Sequence, residues 1–114
     1  MNTGDWLYFL PKEITVREIY EIVKDSYEVE IWEAAGILEI NIGEGSSVDV
    51  EAAAIHPKDT QTGEFAEKNG CPYVFLVTFK PEDYDRAKAV MEMMLQGAGG
   101  FFCGDTEDFT PVLR

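Results

Sequence analysis

Apolar residues change their spacing along the chain, and the first changes predict a strand followed by a helix. The apolar run at residues 6–10 stops at Pro11, which is typical of a short strand buried on both faces. Thr15 and Glu18 then form the T-x-x-E pattern of a helix capping box. Because apolar residues recur after it with a period near 3.6, we predict a helix over about residues 16–26.

From residue 28 onward the apolar period falls to two, which predicts a meander of three strands. This alternation is typical of an antiparallel sheet with one face on the core and the other in solvent. Symmetric turns between the strands predict a register in which Trp32 lies opposite Glu39 and Glu30 opposite Asn41. The same assumption places Glu39 opposite Glu51, and like charges directly opposite each other are destabilising.

The second half of the chain predicts a long connection, two strands and one helix. Residues 58–70 are polar, and predict a long loop with a helical turn around residues 64–68. Residues 73–79 are apolar at both alternating positions, which predicts a central strand covered on both faces over much of its length. A helix follows, whose end is predicted at the glycines of residues 97–100, before a last short strand at residues 101–103.

The predicted element order is β-α-β-β-β-β-α-β, which belongs to the α+β class. The economical packing has two layers: a mostly antiparallel sheet of about five to six strands, with two helices on its apolar face. A ferredoxin-like split βαβ unit with extra strands is one way to wind this order. With 114 residues, of which 46% are hydrophobic, we expect a single domain over residues 1–114.

The charge balance is strongly acidic, with 22 Asp and Glu against 9 Lys and Arg and a formal net charge of −13 at pH 7. Such a charge repels nucleic acids and anionic membranes, so we expect neither as a partner and favour basic proteins. No apolar run is long enough to span a bilayer, and no basic leader precedes the first predicted strand. We therefore expect a cytoplasmic protein.

Residues 25–57 concentrate the acidic charge on one predicted surface. They hold eight carboxylates and no lysine or arginine. Strand alternation places most of these on the solvent face of the meander with an outward-facing tryptophan, and a further acidic group lies in the turn after the last strand. The candidate binding residues are Glu28, Glu30, Trp32, Glu39, Asn41, Asp49 and Glu51 on the sheet, and Asp105, Glu107 and Asp108 in the turn.

Candidate catalytic chemistry is sparse in this sequence. His56 is the only histidine, and Cys71 and Cys103 are not spaced as metal ligands or as a redox pair. We therefore predict no cofactor, no metal site and no catalytic residue. The alternative is a small enzyme or ligand-binding domain in which His56, one thiol and the turn at residues 105–108 come together.

The acidic sheet face leads us to expect a protein-binding module that engages a basic partner. An aromatic side chain ringed by carboxylates suits the capture of lysine and arginine, by cation–π contact and charge-assisted hydrogen bonds. In size and charge alone the chain is similar to bacterial immunity and inhibitor proteins, which mask a basic toxin, and it carries no family motif. A second alternative is a homo-oligomer of unknown function whose acidic face stays solvated.

Overall fold

Residues 4–114, which the computed structural model describes, form one antiparallel sheet of seven strands with three α-helices. In chain order the elements are β1 (Asp5–Leu10), α1 (Val16–Val23), β2 (Val29–Trp32), β3 (Ile37–Gly43), β4 (Ser46–Ala53), α2 (Thr60–Lys68), β5 (Tyr73–Thr78), α3 (Tyr84–Ala98), β6 (Phe101–Gly104) and β7 (Val112–Leu113). The predicted α+β class is confirmed, with more strands than the five to six expected.

The strands lie in the order β2-β3-β4-β5-β1-β6-β7, and each neighbouring pair is antiparallel. The first strand of the sequence therefore lies near the middle of the sheet. The four strands β4-β5-β1-β6, together with α1 and α3, follow the split βαβ arrangement considered from the element order. The β2–β3 hairpin extends this unit on one side, and the two-residue strand β7 extends it on the other.

One face of the sheet packs against α1 and α3 and forms the main core. At the start of α1, the Thr15 hydroxyl accepts from the Glu18 amide (3.4 Å) and the Glu18 carboxylate accepts from the Thr15 amide (2.8 Å), so the predicted capping box is present. The buried stripe of α3 consists of Ala87, Val90, Met91 and Met94. None of the helices within residues 4–114 is long and apolar enough to cross a bilayer.

The opposite face of the sheet is only half covered, by α2 and the chain that follows β6. The segment expected to be a long loop forms α2, whose N-cap Asp59 accepts from the Thr62 amide (3.1 Å). Its stripe is weak, because only Ala66 is buried and Phe65 is partly buried. Beneath α2 lies a second cluster of buried residues, made of Leu7, Phe9, Ala66, Cys71, Val74, Phe101, Cys103 and Phe109.

The sequence predicts that β5 is covered on both faces over much of its length. In the structure it is not, because α2 covers only part of this face. Phe75 and Val77 are buried in the main core, and on the other face Val74 is buried in the cluster beneath α2. Leu76 is 39% exposed, and Thr78 is exposed. The half of the face that is built from β2, β3, β4 and the end of β5 therefore stays open to solvent.

The meander β2-β3-β4 forms as predicted, but its register is displaced by two residues in both hairpins. Glu39 lies opposite Glu30 on β2 and opposite Asp49 on β4, instead of opposite Trp32 and Glu51. A displacement of two keeps every side chain on its predicted face, since successive residues of a strand alternate between faces. The acidic and apolar faces are therefore the predicted ones, while the cross-strand neighbours are different.

The turns explain this displacement. In the first hairpin a 3₁₀ turn at Glu33–Ala35 ends at Gly36 in a left-handed conformation (φ 69°), so the turn is centred earlier than assumed. In the second, Glu44 and Gly45 have φ angles of 56° and 76°, which is the geometry of a two-residue type I′ turn and pairs Gly43 with Ser46. A bulge between Asn41 and Gly43 then shifts the pairing by one more residue, which gives the displacement of two. The serines that read as loop residues therefore belong to the start of β4.

Candidate protein-binding surface

The open half of the sheet face carries carboxylates in direct cross-strand succession. Glu30 pairs with Glu39, Glu39 with Asp49, and Asp49 with Thr78. The succession continues through Asp5, which pairs with Thr78, to Asp105, whose amide donates to the Asp5 carbonyl (2.9 Å). We call this set the acidic row; its members across the sheet are Glu30, Glu39, Asp49, Thr78, Asp5 and Asp105. With strands about 4.8 Å apart, the row is roughly 24 Å long.

The backbone pairing brings two of these carboxylates especially close. The Ala52 amide donates to the Gly36 carbonyl (2.8 Å), which identifies that pair as hydrogen-bonded. Because hydrogen-bonded and non-hydrogen-bonded pairs alternate along an antiparallel ladder, Glu39 and Asp49 form a non-hydrogen-bonded pair. Side chains are nearest in such pairs, where the Cα atoms are about 4.5 Å apart. The row therefore places like charges at short range.

Basic side chains within the described chain do not balance the centre of the row. The ion pairs within residues 4–114 are formed by Arg17, Lys24 and Arg86. Their partner carboxylates all lie outside the acidic row. No salt bridge within residues 4–114 reaches Glu30, Glu39 or Asp49. The Ser47 hydroxyl donates to Asp49 (2.9 Å), which satisfies one carboxylate oxygen without adding positive charge.

A partly apolar row adjoins the acidic row on the same face. Trp32 lies opposite Ile37, which is followed across the sheet by Glu51 and then by Leu76. Trp32 is 47% exposed and Leu76 is 39% exposed, so two of the large hydrophobic side chains at the surface share this face. Apolar and aromatic side chains beside a charged margin are the composition that protein interfaces favour.

Two shallow depressions mark the ends of this surface. One, of about 300 Å³, lies between β2 and β3 and is lined by Glu28, Val29, Glu30, Glu39 and Asn41. The Asn41 amide group donates to the Glu28 carboxylate (3.4 Å) at its rim. The other, of about 210 Å³, lies where the open sheet meets α2, and its lining includes Leu76, His56, Asp59 and Asp105. Both depressions are bordered by carboxylates.

The three acids of the turn, predicted as binding residues, lie in different surroundings. Asp105 continues the acidic row, but the Asp108 carboxylate accepts from the hydroxyls of Thr110 (2.7 Å) and Thr106 (3.0 Å). These two hydrogen bonds, first that of Thr110, hold the pKa of Asp108 below its usual range. The carbonyl of Glu107 accepts from the Gln61 side chain (2.6 Å) and ties the turn to α2.

The residues of the enzymatic alternative do not assemble into a nucleophile and base. His56 and Asp105 line the same depression, and His56 Nδ1 accepts from the Lys58 amide (3.0 Å), but neither thiol lines it. Cys103 is fully buried, and burial, with a smaller effect of Asp105, raises its pKa to about 12. Burial also raises the pKa of Cys71. Protonated, buried thiols are poor nucleophiles at neutral pH.

Sequence reasoning missed three members of the surface: Asp5, Leu76 and Thr78. Asp5 precedes an apolar run that reads as buried on both sides, and Leu76 lies within another such run. Their exposure depends on where α2 stops and on which strands are neighbours. Only long-range pairing, here of β5 with both β1 and β4, shows that these residues continue the rows that begin on β2.

Comparison with known proteins identifies no similar protein. No protein-family model, curated protein sequence or solved structure matches the chain significantly. Fold and surface together define a small α+β protein with an open acidic sheet face.

Proposed function

We propose that this protein is a binding module whose acidic sheet face engages a basic protein partner. The observation that carries the proposal is the acidic row, in which Glu30, Glu39 and Asp49 lie side by side on three adjacent strands. No cation within residues 4–114 forms an ion pair with these three carboxylates. A partner's lysine and arginine side chains would supply the missing positive charge.

The arrangement is costly for the free protein, which supports a role in binding. Like charges directly opposite on neighbouring strands destabilise a sheet by a few tenths of a kcal/mol or more. Glu39 experiences this on both sides, from Glu30 and from Asp49. Selection for stability alone would alternate the charges, and local features that reduce stability are typical of functional surfaces.

The neighbouring side chains suit the same partner chemistry. Trp32 offers an exposed aromatic face for a guanidinium or ammonium group, and Leu76 offers apolar contact for the aliphatic part of a long basic side chain. The acidic row is complementary in charge to the basic surface with which a protein binds a polyanion. This complementarity supports an immunity- or inhibitor-type role, in which the acidic face would cover the basic surface of a toxin.

A charge-reversal pair tests the proposal. Glu39→Lys changes the centre of the acidic row, while Glu92→Lys changes an exposed residue of α3 on the other side of the sheet. Both shift the formal net charge from −13 to −11, so they differ only in position. Tagged wild type and both variants would be used to capture partners from cells of the source organism, with quantitative mass spectrometry as the measurement.

We expect wild type and the control variant Glu92→Lys to capture the same basic protein. The Glu39→Lys variant should fail to capture it. Carbodiimide cross-linking, which joins carboxylates to lysines in direct contact, should then map the contact to Glu30, Glu39 or Asp49. Equal capture by all three proteins, or equal loss in both variants, would show that the acidic row is not the interface.

A further inference from the structure

The outer edge of β2 presents backbone groups that no strand within residues 4–114 pairs with. β2 is the terminal strand of the sheet, and the Asn41 amide donates to the Glu28 carbonyl (2.9 Å). In the register of the β2–β3 ladder, this places Glu28, Glu30 and Trp32 in the positions that bond to β3. Val29 and Ile31 alternate with these residues along the strand, so their N–H and C=O groups point away from the sheet.

The side chains of β2 alternate between a charged face and an apolar face, and a complementary strand would alternate between basic and apolar residues. Glu30 lies on the open face, at the start of the acidic row, while Val29 and Ile31 lie on the core face. Both apolar residues are only partly buried, although their equivalents Leu38 and Ile40 on β3 are fully buried. The core face therefore has uncovered apolar surface at this margin, next to a carboxylate on the other face.

We infer that the basic partner docks by adding an extended segment to the free edge of β2, so that the seven-stranded sheet gains an eighth strand. The inference rests on the proposed function and specifies how the acidic face is engaged. Apolar residues of the segment would exchange backbone hydrogen bonds with Val29 and Ile31 and cover their exposed surface. The alternate lysines or arginines would lie on the open face beside Glu30, next to the depression lined by Glu28, Glu30 and Glu39.

Charge selects a basic segment over a second copy of this chain. In the centred antiparallel pairing of two β2 strands, the Glu30 side chains of the two copies would lie directly opposite each other. Like charges in that position are destabilising, and charged edge residues are a common protection against self-association. A segment with Lys or Arg at the same position replaces the repulsion by attraction.

Amide hydrogen exchange, followed by NMR on the full ¹⁵N-labelled chain, tests the inference. In the free protein the amides of Val29 and Ile31 should exchange much faster than that of Glu30, which bonds to β3. The probe is a synthetic peptide that alternates Lys with Val over about eight residues, the length of a typical strand. Binding should slow exchange at Val29 and Ile31 at least tenfold and leave the Glu30 amide as it was.

Two controls test the mode and the place of binding. A peptide with Pro in place of each Val keeps the charges but lacks the N–H groups that would bond to β2, so it should give no protection. The Glu30→Lys variant should lose peptide binding, whereas Glu92→Lys should keep it.

The outcomes distinguish this inference from the proposed function. Saturable binding with shifts at Glu30, Glu39 and Asp49 but unchanged exchange at Val29 and Ile31 would overturn strand addition and leave docking on the acidic face intact. Equal effects of the Pro-containing peptide would also overturn it. Strand addition would also be overturned if no saturable binding were seen up to about 1 mM peptide. A dissociation constant of that size corresponds to a binding free energy of about −4 kcal/mol. If the Glu39→Lys variant also captures the cellular partner normally, the proposed function fails as well.

Discussion

Glu39 is the residue at which stability and the proposed function conflict most directly. It has a carboxylate neighbour on each adjacent strand, Glu30 on β2 and Asp49 on β4. We expect Glu39→Lys to stabilise the free protein, because it turns two repulsive neighbours into attractive ones. At about 0.5 kcal/mol for each pair, the melting temperature should rise by roughly 4 °C in thermal unfolding at low salt.

The control for this prediction is Glu92→Lys, which makes the same change of net charge without a cross-strand carboxylate. It should raise the melting temperature less, and the difference between the two variants should shrink in about 0.5 M NaCl, which screens exposed charges. If Glu92→Lys stabilises as much as Glu39→Lys, the opposed carboxylates of the row cost the protein nothing.

Asp83 is a carboxylate of the opposite kind, nearly buried and structural. It accepts from Arg86 Nη2 (2.6 Å), and Arg86 Nη1 donates to the carbonyls of Ile42 (3.1 Å) and Gly43 (3.2 Å), so the pair fastens the start of α3 to the β3–β4 hairpin. The neighbouring Ser46 side chain and the ion pair with Arg86 lower the pKa of Asp83.

The lowered pKa fixes the sign of a pH dependence. A carboxyl group whose pKa is lower in the folded protein adds stability above its unfolded pKa, near 4, and loses it as the pH falls through the folded value. Asp83→Asn should therefore melt several degrees below wild type at pH 7, and the two should converge as the pH falls below about 4. A constant difference across this range, measured by circular dichroism, would contradict the assignment.

At the scale of elements, the sequence predicts what depends on local chemistry. The capping box at Thr15 and Glu18 predicts α1, and the period of two predicts both faces of the meander, so all seven sheet residues of the candidate surface lie on the expected side. The register is not predictable in this way, because a displacement by two leaves the pattern unchanged. In the second hairpin, the two-residue turn at Glu44 and Gly45 and the bulge between Asn41 and Gly43 decide it together.

Coverage of the elements is a tertiary property, and sequence patterns predict it less well. α2 has one buried residue, Ala66, so its apolar stripe is too weak to be recognised. The exposure of Leu76 follows from where α2 stops, although the apolar run around it reads as buried on both faces. The acids of the turn are a second example of a tertiary property that the sequence pattern does not predict. Asp105 joins the acidic row, while the Asp108 carboxylate accepts hydrogen bonds from Thr106 and Thr110 within the turn.

The connection from α3 to β6 provides a prediction at this scale. Gly99 and Gly100 both have positive φ angles (79° and 75°), but a Cβ atom on Gly100 would overlap the Phe9 carbonyl oxygen, whereas one on Gly99 meets no atom within 4 Å. Gly100→Ala should therefore destabilise the fold by about 2 kcal/mol more than Gly99→Ala in urea unfolding. Equal effects would mean that backbone strain alone, without the close approach to β1, explains both glycines.

For the whole molecule, the main feature is an asymmetry between the two faces of one sheet. One face is closed by α1 and α3 over the main core, and the other is closed by α2 on one half and open on the half that carries the acidic row. With a net charge of −13, two such open faces would repel each other. The same field would draw a basic partner to the open half from a distance.

The affinity of the captured basic partner for wild type, Glu39→Lys and Glu92→Lys tests the central claim most directly. Isothermal titration calorimetry at about 0.15 M NaCl should show a loss of roughly 30-fold or more for Glu39→Lys, about 2 kcal/mol, and less than about threefold for Glu92→Lys. Wild-type affinity should also fall as salt is raised. Equal affinities of the two variants would contradict the claim that this protein binds through its acidic sheet face.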